Sequence, residues 1–213
     1  MLTSILMQNL NKLTIRRRFF LFGAASVVVT GPAFALDSDS ALDSDSARRL
    51  VDQLVAEINQ ATNSGGSQTK LIAAFESIFE QYADVDIISR SSLGPRARTA
   101  SSEELEAFSR VFRGYIARKY GKRFMEYIGS AIVVKNTTNR GKFFEVGASV
   151  QVEGAEPFEV YFRVSDRSGE KLFFDIIIEG ISLLSSERVE MGALLDERNG
   201  DIGRLTKDLA SLG

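Results

Sequence analysis

Near residue 130 the spacing of apolar residues changes from a period of about 3.6 to a period of 2, and this switch limits the fold more than any other feature of the chain. Before it, Ala47, Leu50, Val51, Leu54, Val55 and Ile58 recur at helical spacing until Asn63-Ser64-Gly65-Gly66. The expected N-cap of this helix lies at Ser44 to Ser46. A second helix is expected over Ser67 to Tyr82, with Leu71, Ile72, Phe75, Ile78 and Phe79 on one face, and a short third one over Val85 to Ser92, closed by Leu93-Gly94-Pro95. Ser101-Ser102-Glu103-Glu104 has the form of a capping box. It opens the longest helix, which carries Leu105, Phe108, Val111, Phe112, Tyr115 and Ile116 and is expected to stop before Gly121.

After the switch, Ala131–Lys135, Phe143–Val152, Phe158–Val164 and Leu172–Ile178 read as four strands. The links between them are short, so the strands should form an antiparallel meander. Phe144, Val146, Ala148, Val150 and Val152 share one face with Phe158, Val160, Phe162 and Val164, and Phe174, Ile176 and Ile178 complete it. Glu145, Ser149, Gln151, Glu159, Arg163 and Asp175 lie on the other face, so the sheet is expected to be dry on one side and largely wet on the other. Ser185-Ser186-Glu187 is read as the cap of a helix through Leu195, and Asp201 to Leu212 as a last amphipathic helix. The expected class is α+β, with N-terminal helices packed on a curved four-stranded antiparallel sheet and C-terminal helices after it.

The first 35 residues have a different character. Lys12, Arg16, Arg17 and Arg18 precede the apolar run Phe19 to Val29, which Thr30-Gly31-Pro32 breaks before Ala33-Phe34-Ala35. A basic start, a short apolar stretch, a helix breaker and an A-x-A site are the parts of a cleavable export signal, so cleavage is expected after Ala35. Arg17-Arg18-Phe19-Phe20-Leu21 resembles the twin-arginine pattern, with Phe22 where a Lys is usual. Residues 36–46 form an acidic lead built on a duplicated Leu-Asp-Ser-Asp-Ser-Ala, and residues 47–213 the domain. Of 26 Lys+Arg and 28 Asp+Glu in the chain, four basic and no acidic residues fall within the signal, which leaves the remainder at net −6. That remainder is expected to be an exported, periplasmic, acidic domain.

Composition removes several chemistries. The chain has no His, Cys or Trp, which excludes Ser-His and Cys-His nucleophiles, disulfides, and zinc or iron–sulfur sites of the usual ligand types. Its charge balance lacks the basic excess of nucleic-acid binders, so no nucleic-acid partner is expected. Asp84 and Asp86 flank Val85 at a helix start, where a capping role is the plainer reading and an acid of a small isomerase the other. Asp175 is read as an ion-pair partner of Arg163 or Arg188. Arg113, Arg118, Lys119, Lys122 and Arg123 form either a solvated helix face or a positive patch for headgroups or a partner. The aromatic helices and the dry face of the sheet make a packed core or, because Gly147 and Ala148 are small and lie mid-strand, a cavity.

Several segments carry a family resemblance. Asp84 to Gly94, Phe108…Phe112-Arg-Gly-Tyr115…Tyr120, Val160 to Arg163, and Asp175 to Leu184 with Arg188, in this order and spacing behind an export signal, resemble the MlaC family, also called the toluene-tolerance auxiliary family. Leu172 or Phe173 stands where the family often has Trp. The resemblance implies a fold similar to nuclear transport factor 2, with phospholipid acyl chains in an apolar cavity. It implies a monomeric carrier with no catalytic residue, metal or cofactor. It also implies two partners: an outer-membrane lipoprotein-porin complex and an inner-membrane ATP-driven Mla complex. On this resemblance the cavity lining is expected from Leu93, Phe108, Phe112, Tyr115, Phe124, Val146, Ala148, Val160, Phe162, Ile176 and Ile178.

Overall fold

The structure is a computed structural model that describes residues 41–64, 67–124, 130–152 and 154–212. The export signal and residues 36–40 of the acidic lead therefore lie outside the described residues. Helix α1 spans Ser44–Asn63, α2 Gln68–Tyr82 and α3 Val85–Leu93; a 3-10 turn, Gly94–Arg98, leads to the long α4, Ser102–Phe124. The strands are β1 Ala131–Asn139, β2 Phe144–Gln151, β3 Phe158–Ser165, β4 Leu172–Ile178 and β5 Ile181–Ser182. Helices α5, Leu183–Asp196, and α6, Ile202–Leu209, follow.

The architecture is α+β, but the sheet has five strands rather than four. It is an antiparallel meander in the order β1-β2-β3-β4-β5. The extra strand is two residues long, returns through a tight turn with Glu179 and Gly180 at positive φ, and pairs Ile181 with Ile178. Two residues are too few to show a period, so the sequence pattern could not reveal it.

Local side chains set most helix starts. Asp43 caps α1, one residue before the expected position: its carboxylate accepts from Ser46 N at 2.7 Å and Ser46 Oγ accepts from Asp43 N at 3.0 Å. Ser101 and Glu104 make the expected box at α4, Ser101 Oγ accepting from Glu104 N and Glu104 Oε2 from Ser101 N. Helix α4 does not stop before Gly121 but runs through it, and the bare glycine lets α2 approach: a Cβ there would stand 3.3 Å from Ile72 Cγ1. Helix α5 begins two residues earlier than expected, capped by Ser182 rather than by Ser185 to Glu187. The cause is distant in sequence, because Asp175 of β4 accepts from Leu184 N at 3.0 Å and from Ser182 Oγ at 2.8 Å.

A further correction concerns β4. A register irregularity between Arg163 and Val164 pairs Val164 with Phe173 and Arg163 with Asp175. The extra residue reverses the inside–outside parity at the start of β4, so Phe173, not Phe174, is buried in the core. Phe174 is half-buried and meets Phe143 edge-on with ring centroids 5.5 Å apart. Asp84 N donates to Phe173 O at 2.8 Å, which ties the α2–α3 junction to this strand.

Candidate functional site

Strand register assembles the apolar face. Val146 pairs with Phe162 and Phe162 with Ile176; Ala148 pairs with Val160 and Val160 with Ile178. The result is two parallel rows of three side chains across β2, β3 and β4. Above them α4 presents Phe108, Phe112 and Tyr115, whose i, i+4, i+7 spacing keeps them on one helix face. Their rings follow one another at centroid distances of 5.4 and 6.0 Å. Leu93, at the end of α3, joins the same cluster. Of the eleven positions expected to line a cavity, ten thus meet in one apolar cluster, with Ile176 and Ile178 half-buried and the other eight buried. The side chain of the eleventh, Phe124, lies outside the described residues.

Sequence reasoning missed the aromatic group that closes one end of the rows. Phe173 packs edge-on against Phe162 at 6.2 Å and tilted against Phe79 at 6.1 Å, with buried Tyr82 in the same cluster. Phe79 and Phe75 are legible from helix spacing, but Phe173 depends on the irregularity in β4.

Gly147 does not leave space inside. It lies on the outer face, opposite Tyr161, where a Cβ would come within 3.2 Å of Tyr161 Cε1 and 2.9 Å of Asn136 Oδ1. Asn136 stands at the irregularity of β1 between Val134 and Thr137, so the glycine accommodates a bulge. Only Ala148 is small on the inner face.

The outer face is less wet than expected, since Glu145, Ser149 and Asp175 are all buried. Arg163 joins the two acids, 3.3 Å from Glu145 and 3.2 Å from Asp175, and Arg140 adds a 2.7 Å contact to Glu145. Burial opposes ionisation of Glu145, but its bonds to Arg140 and Arg163 hold its pKa below the usual carboxylate range. Asp175 pairs with Arg163, as read from the sequence, and fastens the start of α5.

Where α4 meets α5, a second polar group borders the apolar cluster. Lys119 Nζ lies 2.6 Å from Glu187 and from Glu190 and donates to Tyr115 Oη at 2.9 Å; Tyr115 donates to Glu190 at 2.6 Å, and Tyr120 to Glu187. Glu187 is 2% exposed, and burial raises its pKa although Lys119 pulls it down. At Glu190 burial is outweighed by the hydrogen bonds from Lys119 and Tyr115, and the pKa is lowered. The Tyr115 hydroxyl is pushed up, by burial first and by the two carboxylates after it.

Three of the five basic residues expected on α4 and its exit are likewise paired, while the side chain of Arg123 lies outside the described residues. Arg113 pairs with Glu76 and Glu80, Arg118 donates to the carbonyls of Leu209 and Leu212, and Lys119 is engaged as above. These cations fasten helices together instead of forming an open patch. Asp84 caps α3 by accepting from Ile87 N at 3.1 Å, and Asp86 accepts from Ser109 Oγ at 2.9 Å. Both line a polar cleft of about 500 Å³ with Glu80, Arg110, Arg113 and Glu170, whereas the expected lining residues gather in the apolar cluster. Among the described residues no group of three His, Cys, Asp or Glu is arranged to hold a metal ion, and no helix is long and apolar enough to cross a membrane.

The sequence model of the MlaC protein family matches residues 48–211. This chain belongs to the MlaC family. Its fold resembles the solved structure of a phospholipid-binding protein from Ralstonia solanacearum in complex with a phospholipid, with a TM-score of 0.67 at 19% identity, over 78% of this chain and 95% of that one. As a member of the MlaC family, the chain places its matched segment from the second turn of α1 past the end of α6, all ten of the clustered positions included.

Proposed function

We propose that this protein is a periplasmic phospholipid carrier. It passes lipid between an outer-membrane lipoprotein-porin complex and an inner-membrane ATP-driven Mla complex, and so helps keep phospholipid out of the outer leaflet. The supporting observation is the family match over residues 48–211, joined to the likeness to a structure that holds a phospholipid. In this reading the acyl chains lie along the rows Val146–Phe162–Ile176 and Ala148–Val160–Ile178, beneath Phe108, Phe112 and Tyr115. Leu93 and Phe124 complete the wall, and the headgroup stays at the mouth. The likeness to nuclear transport factor 2 belongs to the same reading, because a curved sheet wrapped by helices can hold a hollow between its layers.

Such a carrier needs no catalytic group. Two acyl chains carry roughly 30 methylenes, and at about 0.8 kcal/mol each their exposure to water would cost on the order of 24 kcal/mol. A wall as dry as the bilayer makes exchange nearly neutral. Direction then comes from the partners, since a passive site cannot shift its own equilibrium. Cleavage after Ala35 accompanies export, leaving an acidic lead over 36–46 and the domain over 47–213.

Protein purified from the periplasm without detergent, extracted and analysed by mass spectrometry, should yield about one diacyl phospholipid per chain. Lipid-free protein would overturn the reading. Intact mass of the same sample should place the first residue at Leu36.

A further inference from the structure

Four arginines of this acidic domain gather at one junction. Arg90 lies in the last turn of α3, Arg96 and Arg98 in the 3-10 turn that follows, and Arg188 on the outward side of α5; all four are exposed. None of their guanidiniums takes part in an ion pair or side-chain hydrogen bond among the described residues.

Two contacts bring them together. The Arg188 guanidinium lies over Gly94, its Nε 3.4 Å from where a Cβ would stand, and Gly94 is one helical turn beyond Arg90. The Arg96 guanidinium lies over Gly200, at the turn between α5 and α6, its Cζ 2.6 Å from the corresponding position. Each charged group therefore rests on bare backbone.

Several acids on the adjoining elements are engaged elsewhere. Asp86 accepts from Ser109, Glu187 and Glu190 hold Lys119, and Glu197 pairs with Arg198. Charges further away are screened beyond about 8 Å at physiological salt. Beside Arg188, Val189 is 66% exposed, and a Cβ on Gly192, one turn further, would meet nothing within 4 Å.

We propose that this junction is a docking surface for an acidic segment of a partner protein, whose carboxylates the guanidinium forks receive while Val189 and Gly192 offer a smooth strip beside them. Guanidinium geometry matches carboxylates in pairs. A protein partner is favoured over an anionic membrane because the rest of the domain is net acidic and Val189 alone gives little to insert. The inference does not depend on which cargo the protein carries.

The test titrates the purified protein with a fluorescent octaglutamate peptide at 50 and 300 mM salt, with phosphatidylglycerol vesicles in parallel. The expected result is peptide binding that weakens with salt and falls at least tenfold in R90Q/R96Q/R98Q/R188Q. The control K70Q/K142Q/R167Q/K207Q, with the same change in net charge at other exposed sites, should bind as the parent does. The double variant R90Q/R188Q leaves the Arg96 contact with Gly200 intact and should lose a large part of the binding with an unchanged thermal midpoint. Equal loss in patch and control variants, no binding to the parent, or patch-dependent binding to vesicles but not to peptide would each overturn the proposal.

Discussion

The two faces of the sheet bury side chains for opposite reasons. On the inner face, Val146, Ala148, Val160 and Phe162 are apolar and leave water because burial lowers their free energy. On the outer face, Glu145 and Asp175 are just as buried, yet they remain there only because Arg140, Arg163, Ser182 and the N-terminus of α5 satisfy them. Apolar contacts on the inner face are non-directional, whereas those on the outer face depend on particular hydrogen-bond partners.

The sharpest way to separate the faces is to cut each and compare. Phe112→Ala should lower unfolding stability in urea by about 3–5 kcal/mol if the ring is packed against protein. A loss below ~1 kcal/mol in protein stripped of lipid would mean that the ring faces a hollow, and would move it from core to cargo wall. Asp175→Ala should cost about 2–3 kcal/mol, because it removes one of the two carboxylates that hold Arg163 and frees Leu184 N and Ser182 Oγ; the value is held down by the partial exposure of Arg163 and by its remaining bond to Glu145. Asp175→Asn should restore part of this, and full tolerance of alanine would show the outer network to be dispensable. Gly147→Ala, on the outer face, should cost about 1–2 kcal/mol through the clash with Asn136 and Tyr161. The double variant with Asn136→Ala should recover some of that loss, and an additive loss would argue against the contact.

The smallest expected effects are those of pH, and they carry opposite signs. Glu145 has a folded pKa below its ordinary value of 4.5, so its contribution is present above that value and fades as the pH falls through the lower folded pKa. Glu187 has a folded pKa above 4.5, so its ionisation is a cost at neutral pH, and protonation gives stability back as the pH falls through the folded value. Thermal midpoints recorded against pH should lose part of their acid-side decline in Glu145→Gln and steepen it in Glu187→Gln. The same slope in both variants would break this contrast.

The inner face could be read from the sequence because it depends on parity within β2 and β3 and on helical spacing in α4, which neighbouring residues determine. Phe108, Phe112 and Tyr115 needed only the i, i+4, i+7 rule. Phe173 was lost because an irregularity in β4 reverses parity, and its cause is pairing with β3. Burial of Glu145 and Asp175 was lost for a related reason: an acid looks solvated until its arginines, contributed by other strands or loops, are known. The start of α5 moved because its acceptor, Asp175, lies on another element. Arg113 and Lys119 of α4 read as a solvated face or a patch for the same cause, since Glu76, Glu80, Glu187 and Glu190 reach them only in the folded chain. What sequence alone conveys here is local geometry, and what it withholds is partnership at a distance.

One detail of β1 bears on how copies of this protein meet one another. Arg48 of α1 donates to the carbonyls of Val134 and Lys135, where the outermost strand is already irregular. The opposite edge is a strand of two residues. A strand from a second copy would meet a guanidinium seated on two carbonyls at one edge and almost no ladder at the other, features that disfavour edge-to-edge pairing.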